Sequence, residues 1–213
     1  GLTLGGCGSD TLIDHVQIHR SADDGLQILG GTATVKHVIV TDTFKDGVDW
    51  EYGWRGTGQF IVVQQGDDDE NAFESANNED DFDAVPRSAP TISNYTLIGS
   101  GKNGGNQRAI MMEAGAGGKF FNGIVLGQSL EALDIVDVDT AELIQTNELE
   151  FSHTLFFDIG ASGTHFFPLD TEEVGEEDDD DGFDEEQWFK KVDYENVFAV
   201  NLQLADAFGI DTT

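Results

Sequence analysis

Ile13-Asp14-His15-Val16-Gln17-Ile18 and Val35-Lys36-His37-Val38-Ile39-Val40 are two copies of one pattern, apolar–x–His–x–x–apolar, with their histidines 22 residues apart. The pattern returns with His, Asn or Phe at its third position. The later copies are Gly58-Gln59-Phe60-Ile61-Val62-Val63, Ile92-Ser93-Asn94-Tyr95-Thr96-Leu97, Phe120-Phe121-Asn122-Gly123-Ile124-Val125 and Phe151-Ser152-His153-Thr154-Leu155-Phe156. Successive third positions are separated by 22, 23, 34, 28 and 31 residues, so the basic unit is about 22 residues and the longer intervals carry insertions.

A second family of segments lies between these copies: Asp24-Gly25-Leu26-Gln27-Ile28-Leu29, Asp46-Gly47-Val48-Asp49-Trp50-Glu51, Asn71-Ala72-Phe73-Glu74-Ser75-Ala76, Arg108-Ala109-Ile110-Met111-Met112-Glu113 and Glu131-Ala132-Leu133-Asp134-Ile135-Val136. Alternation places Leu26, Val48, Phe73, Ile110 and Leu133 on one face and Gln27, Asp49, Glu74, Met111 and Asp134 on the other. Period two within segments and about 22 residues between them predicts stacked coils. The expected fold is all-β, a right-handed parallel β-helix of about six coils in which each coil buries its inward side chains by stacking on its neighbours. Leucine-rich repeats have a similar period but need a Leu-rich consensus that is absent here.

The runs Ile13-Asp14-His15-Val16, Ser21-Ala22-Asp23-Asp24-Gly25, Val48-Asp49-Trp50-Glu51-Tyr52-Gly53-Trp54-Arg55-Gly56 and Phe73-Glu74-Ser75-Ala76-Asn77-Asn78-Glu79 resemble those of secreted bacterial β-helix lipoproteins within the pectate-lyase-like superfold. The resemblance covers roughly residues 1–160 and implies a fold more than an activity. The expected organisation is a β-helix over 1–165, an acidic linker or loop over 166–186, and a segment over 187–213 that folds back to cap the solenoid. Insertions are expected over 66–90 and 99–107, the first of them read as a mobile, hydrated hairpin or a recognition loop.

Charge removes whole classes of function. With 42 Asp+Glu against 10 Lys+Arg the net charge is −32, so nucleic acid and anionic lipid are repelled. No apolar run approaches the roughly 18 residues of a membrane span. Such an acid excess fits a hydrated surface in a salty medium, of marine or halophilic origin, and an extracellular or cell-surface location. A lone cysteine, Cys7, excludes an internal disulfide and a cysteine-based zinc site. Gly1 leads straight into patterned sequence, so the chain reads as a mature form or a piece of something longer.

The repeated His15, His37, Phe60, Asn94, Asn122, His153 position invites a histidine metal site, but recurrence in every coil is explained by a ladder of side chains at a turn, bonding backbone groups of adjacent coils. Ser9, Asp14 and His15 owe their spacing to the repeat and are not a triad. The acidic face is the better candidate. Asp49 and Glu51 point outward on one strand, Glu74 lies beside Asp49 at roughly 4.8 Å strand spacing, and Asp24 and Asp46 line the turn leading in. Carboxylates that close share a proton or hold a cation, and calcium, which takes oxygen ligands, is the expected ion on Asp49, Glu51, Glu74, Asp24 and Asp46. The acid run near Glu177 is not an EF-hand, because Trp188 falls where the last carboxylate ligand belongs.

The leading expectation is a calcium-binding surface module with a structural, adhesive or glycan-contacting role, using Trp54 and Arg55 toward a polysaccharide. The alternative is a polysaccharide hydrolase or lyase with Asp49, Glu51, Glu74 and Arg55 as its catalytic set. Coils stacking end to end between chains into a filament are a third possibility, since a β-helix end is an open sheet edge.

Overall fold

A computed structural model describes residues 1–101, 104–167, 180 and 182–198. Its strands are β1 (Leu2–Gly5), β2 (Leu12–His19), β3 (Leu26–Leu29), β4 (Thr34–Thr41), β5 (Val48–Glu51), β6 (Thr57–Gln64), β7 (Asn71–Ala76), β8 (Thr91–Ile98), β9 (Arg108–Glu113), β10 (Gly118–Phe121), β11 (Ile124–Leu126), β12 (Leu133–Ile135), β13 (Leu149–Ser152), β14 (Leu155–Phe157) and β15 (Val197–Phe198). Helix α1 (Val138–Gln145) follows β12, and α2 (Glu185–Phe189) precedes β15.

Among the described residues the strands pair between coils in parallel throughout, and the chain is a parallel β-helix. One sheet runs β1-β3-β5-β7-β9-β12 and gives six rungs. In it Leu2, Leu26, Val48, Phe73, Ile110 and Leu133 are register partners in succession, the inward column expected from the alternation. The other sheet, built on β2, β4, β6 and β8 and continued by β10, β11, β13 and β14, bends around a corner.

The corner is one residue wide. His15, His37, Phe60, Asn94, Asn122 and His153 all have φ between 50° and 58°, the left-handed region. Ladder pairing holds on both sides, Asp14 with Lys36 and Val16 with Val38, and skips His15 and His37. Asn and His tolerate this region better than most residues, which explains the column's composition. The ladder is made partly of stacked rings, with His37 5.1 Å from Phe60 at 6° and 4.5 Å from His15.

Inside, Trp50 packs 5.5 Å from Phe73 and 5.9 Å from Phe120, and Phe120 stacks on Phe151 at 4.4 Å. The column continues through Phe189 of α2, 5.6 Å from Phe151 and fully buried, while Phe198 of β15 stacks 5.0 Å from Phe156. Asn196 ties this segment down: its amide donates to the carbonyls of Phe151 and Phe189, and its carbonyl accepts from the Thr154 backbone. The last coil is thus covered by aromatic side chains. At the opposite end Leu2, Ile13, Val16 and Ile18 are only partly buried and Leu12 is exposed.

Three local features differ from expectation. Helix α1 interrupts the all-β pattern; the Asp137 carboxylate caps it by accepting from the Thr140 N–H, and also accepts from the Ala114 N–H of the neighbouring coil. The insertion after β7 is not a hydrated hairpin. Buried Asn77 donates to the carbonyls of Phe82 and Ala84 and accepts from the Ser88 N–H, and Arg87 donates to the carbonyls of Phe82 and Gly115. Within the acidic stretch, Asp184 caps α2 through the Gln187 N–H. Residues 168–179 and 181 of the expected linker, and 199–213 of the expected cap, lie outside the described residues. Among the described residues no helix is long and apolar enough to cross a membrane.

Candidate functional site

The outward face of the six-stranded sheet holds an acidic groove. Asp49 is the register partner of Gln27 on one side and Glu74 on the other, so these side chains project together from β3, β5 and β7. One pleat further on, Glu51 and Glu113 stand on the same face, with the small Ala76 between their coils. The ordered insertion after β7 adds Glu79, and the turns before β3 and β5 add Asp24, Lys45 and Asp46. The groove encloses about 190 Å³. That is below the roughly 300 Å³ at which pockets begin to engulf a small molecule, so it suits an ion or the edge of a larger ligand.

Asp49, Glu51, Glu74, Asp24 and Asp46, the acids expected to gather on one face, all line this groove. Two of them also serve the fold. Asp24 accepts from the Asp46 N–H at 3.3 Å and Asp46 accepts from the Asn71 N–H at 2.8 Å, so each joins its coil to the next. Gln27 donates to Asp49 at 3.0 Å and to Asp24 at 3.3 Å.

Trp54 is corrected: it is fully buried, its indole N–H donates to the Ala33 carbonyl at 3.1 Å, and no sugar ring can reach it. The exposed aromatic next to the groove acid Glu51 is Tyr52, 54% accessible and hydrogen-bonded through its side chain to Glu51. Alternation carried on from Val48 and Trp50 puts both Tyr52 and Trp54 inward; a left-handed φ of 50° at Tyr52 turns that ring out to solvent instead, while Trp54 stays in the core. Arg55 is exposed but does not line the groove, which removes it from the basic role expected of it. The cation in the groove lining is Lys45, whose ammonium sits 3.2 Å from Asp23. That pairing raises its pKa, the wrong direction for a general base.

Crowding shifts the acids upward. Burial, then the hydrogen-bonded Asp46 carboxyl and the charges of Asp46, Glu113 and Asp49, push Glu74 to about 10. Burial raises Asp49 to about 7 against the pull of Gln27, and burial with the charge of Glu79 raises Glu113 to about 7. Glu51 is raised by burial and by Glu79. The coil beyond is balanced differently. There Asp134 and Glu131 share Arg108 at 2.6 and 3.2 Å, an internal cation that partly offsets burial at Asp134 and that Asp49 and Glu74 lack. The groove therefore needs positive charge, as protons or as a cation. Its carboxylates and the Gln27 amide offer hard oxygen donors, the set that calcium takes.

Glu113 could have been found by carrying the Glu51 column two coils further along the aligned segments. Lys45 sits one residue before an aligned Asp-Gly turn. Glu79 reaches the groove through a loop that repeats nothing.

A family model for a pectate-lyase like beta helix domain matches residues 1–192. Neither the curated proteins nor the solved structures contain a match to this chain.

Proposed function

The chain belongs to the pectate-lyase-like β-helix domain family, whose character fits a polysaccharide-related or structural extracellular role, and from that premise we propose that it is an extracellular, calcium-dependent glycan-contacting module. The observation that carries this reading is the groove itself: Asp49, Glu51, Glu74, Glu79 and Glu113 converge with Lys45 as the one basic side chain in the lining. Calcium held by Asp49, Glu51 and Glu74, with Asp24 and Asp46 at its edge, supplies the positive charge that protons otherwise provide. A polyanionic surface repels uronate-type chains unless a cation bridges them, so a bound ion also sets the ligand class. Tyr52 at the lip offers a ring face for a sugar.

The test is affinity electrophoresis against neutral and uronate-containing polysaccharides, with calcium and with chelator. Retardation by a polysaccharide in calcium, reduced by chelator, by Glu74→Gln and by Tyr52→Ala, is the expected result. Retardation indifferent to all three removes the groove from the function.

One observation favours a second reading. Asp49 and Glu74 are register partners on adjacent strands, with burial pushing both carboxyls up and Glu74 further, and two neighbouring carboxyls with separated pKa values are the pair a glycoside hydrolase uses. A lyase is less well served, because Lys45 is held protonated.

A further inference from the structure

The corner ladder begins with a constellation that the groove does not use. Asp14 precedes His15 on β2, and the register of β4 brings His37 alongside. The Asp14 Oδ1 lies 2.8 Å from Nδ1 of His15 and 2.8 Å from Nδ1 of His37. Ligand atoms of the three residues all fall within 4.8 Å of one another.

We propose that Asp14, His15 and His37 bind a divalent transition-metal ion of the zinc type at the first corner of the solenoid. Two imidazole nitrogens and one carboxylate oxygen form the two-histidine, one-carboxylate donor set, which leaves further positions for water. Each imidazole is now placed to donate an Nδ1 proton to Asp14. Shifting that proton to Nε2 makes both Nδ1 atoms lone-pair donors with no change of charge, so the ion takes the place of two hydrogen bonds. The rings are held ready for it. His37 stacks on Phe60 and meets His15 at a 32° tilt, and both histidines sit at a left-handed backbone position that the neighbouring ladder fixes.

Lys36, the register partner of Asp14, has its ammonium 5.6 Å from the Phe60 ring centroid, drawn over that ring. The net charge of −32 favours cation approach at this corner as everywhere on the surface. Ligand type separates the two sites: the groove offers oxygen for calcium, and the corner offers nitrogen for a softer ion.

Zinc titration by calorimetry, with millimolar calcium present to occupy the groove, tests this in wild type, His15→Asn, His37→Asn and the double variant. Asparagine already occupies the same left-handed position at Asn94 and Asn122, so these variants keep the corner. One zinc equivalent per chain is expected in wild type, weakened roughly tenfold or more in each single variant and lost in the double variant, while Asp49→Asn/Glu74→Gln retains it. Long-range ¹H–¹⁵N spectra should show both Nδ1 atoms metal-bound. Absence of binding in wild type, or undiminished binding in the double histidine variant, overturns the site.

Discussion

Asp49 and Glu74 are register partners on adjacent strands of the groove, and neither faces an arginine or lysine that neutralises it. The equivalent acid two coils on, Asp134, is 2.6 Å from Arg108. The same column thus has a cation from within the chain beside Asp134 and none beside Asp49 and Glu74, which are left open to an external charge.

This openness sets the pH response. In the unfolded chain carboxyls titrate near pH 4, whereas burial raises Asp49 and Glu113 to about 7 and Glu74 further. The folded state then holds more protons between those values, so stability conferred by the protonated groove is complete below about pH 4 and is lost as pH rises through 7. In chelator the melting midpoint should fall by about 5 °C or more from pH 5 to pH 8. Asp49→Asn and Glu74→Gln should flatten that slope. A slope unchanged in both variants assigns it to general surface repulsion instead.

Calcium should reverse the loss. A ligand bound only by the native state raises the midpoint, by about 2.7 kcal/mol at a hundredfold excess over its dissociation constant. Scanning calorimetry at pH 8 with millimolar calcium should show a rise that Glu74→Gln diminishes. No rise in the wild type removes calcium from the groove.

Catalysis is a separate question with a direct assay. Incubation with a panel of polysaccharides in calcium should release no new reducing ends above control. Release that disappears in Glu74→Gln would replace the binding module with a hydrolase acting through Glu74 and Asp49.

At the corner, Phe60 occupies a left-handed position at φ 57°. Phe60→Val should destabilise by about 1–2 kcal/mol, because a β-branched residue is strained there. Phe60→Asn should lie within about 1 kcal/mol of wild type, trading ring stacking for a residue suited to the backbone. Equal losses in urea titrations of the two would show that stacking, not backbone geometry, governs the corner.

The first coil carries the expectation of end-to-end association. Leu12 is 57% exposed on β2, the edge strand of its sheet. Sedimentation velocity at rising concentration should show self-association that Leu12→Lys reduces. A monomer at every concentration ends the filament reading.

The repeat made most of the fold legible, because a parallel register converts sequence spacing directly into spatial neighbours: Leu26, Val48 and Phe73 stack as aligned, and so do Gln27, Asp49 and Glu74. What breaks period two was not legible. Tyr52 turns left-handed and leaves the inward face that alternation assigns it, and Asn77 internally braces a loop that composition described only as acidic. Asp14 and His37 were each visible, but their meeting with His15 needed the corner geometry.

The two ends of the solenoid are unequal, one sealed by Phe189 and Phe198 and the other leaving Leu12 and Ile13 in contact with water. In a linear stack each coil is secured by its neighbours alone, so fraying has a direction, entering at β1 and β2 and running toward the sealed end. The groove draws its side chains from β3, β5, β7 and β9, directly across that route. An ion seated there acts as a rivet through consecutive rungs, and hydrogen exchange should show it halting the unzipping at β3 while β1 and β2 continue to open.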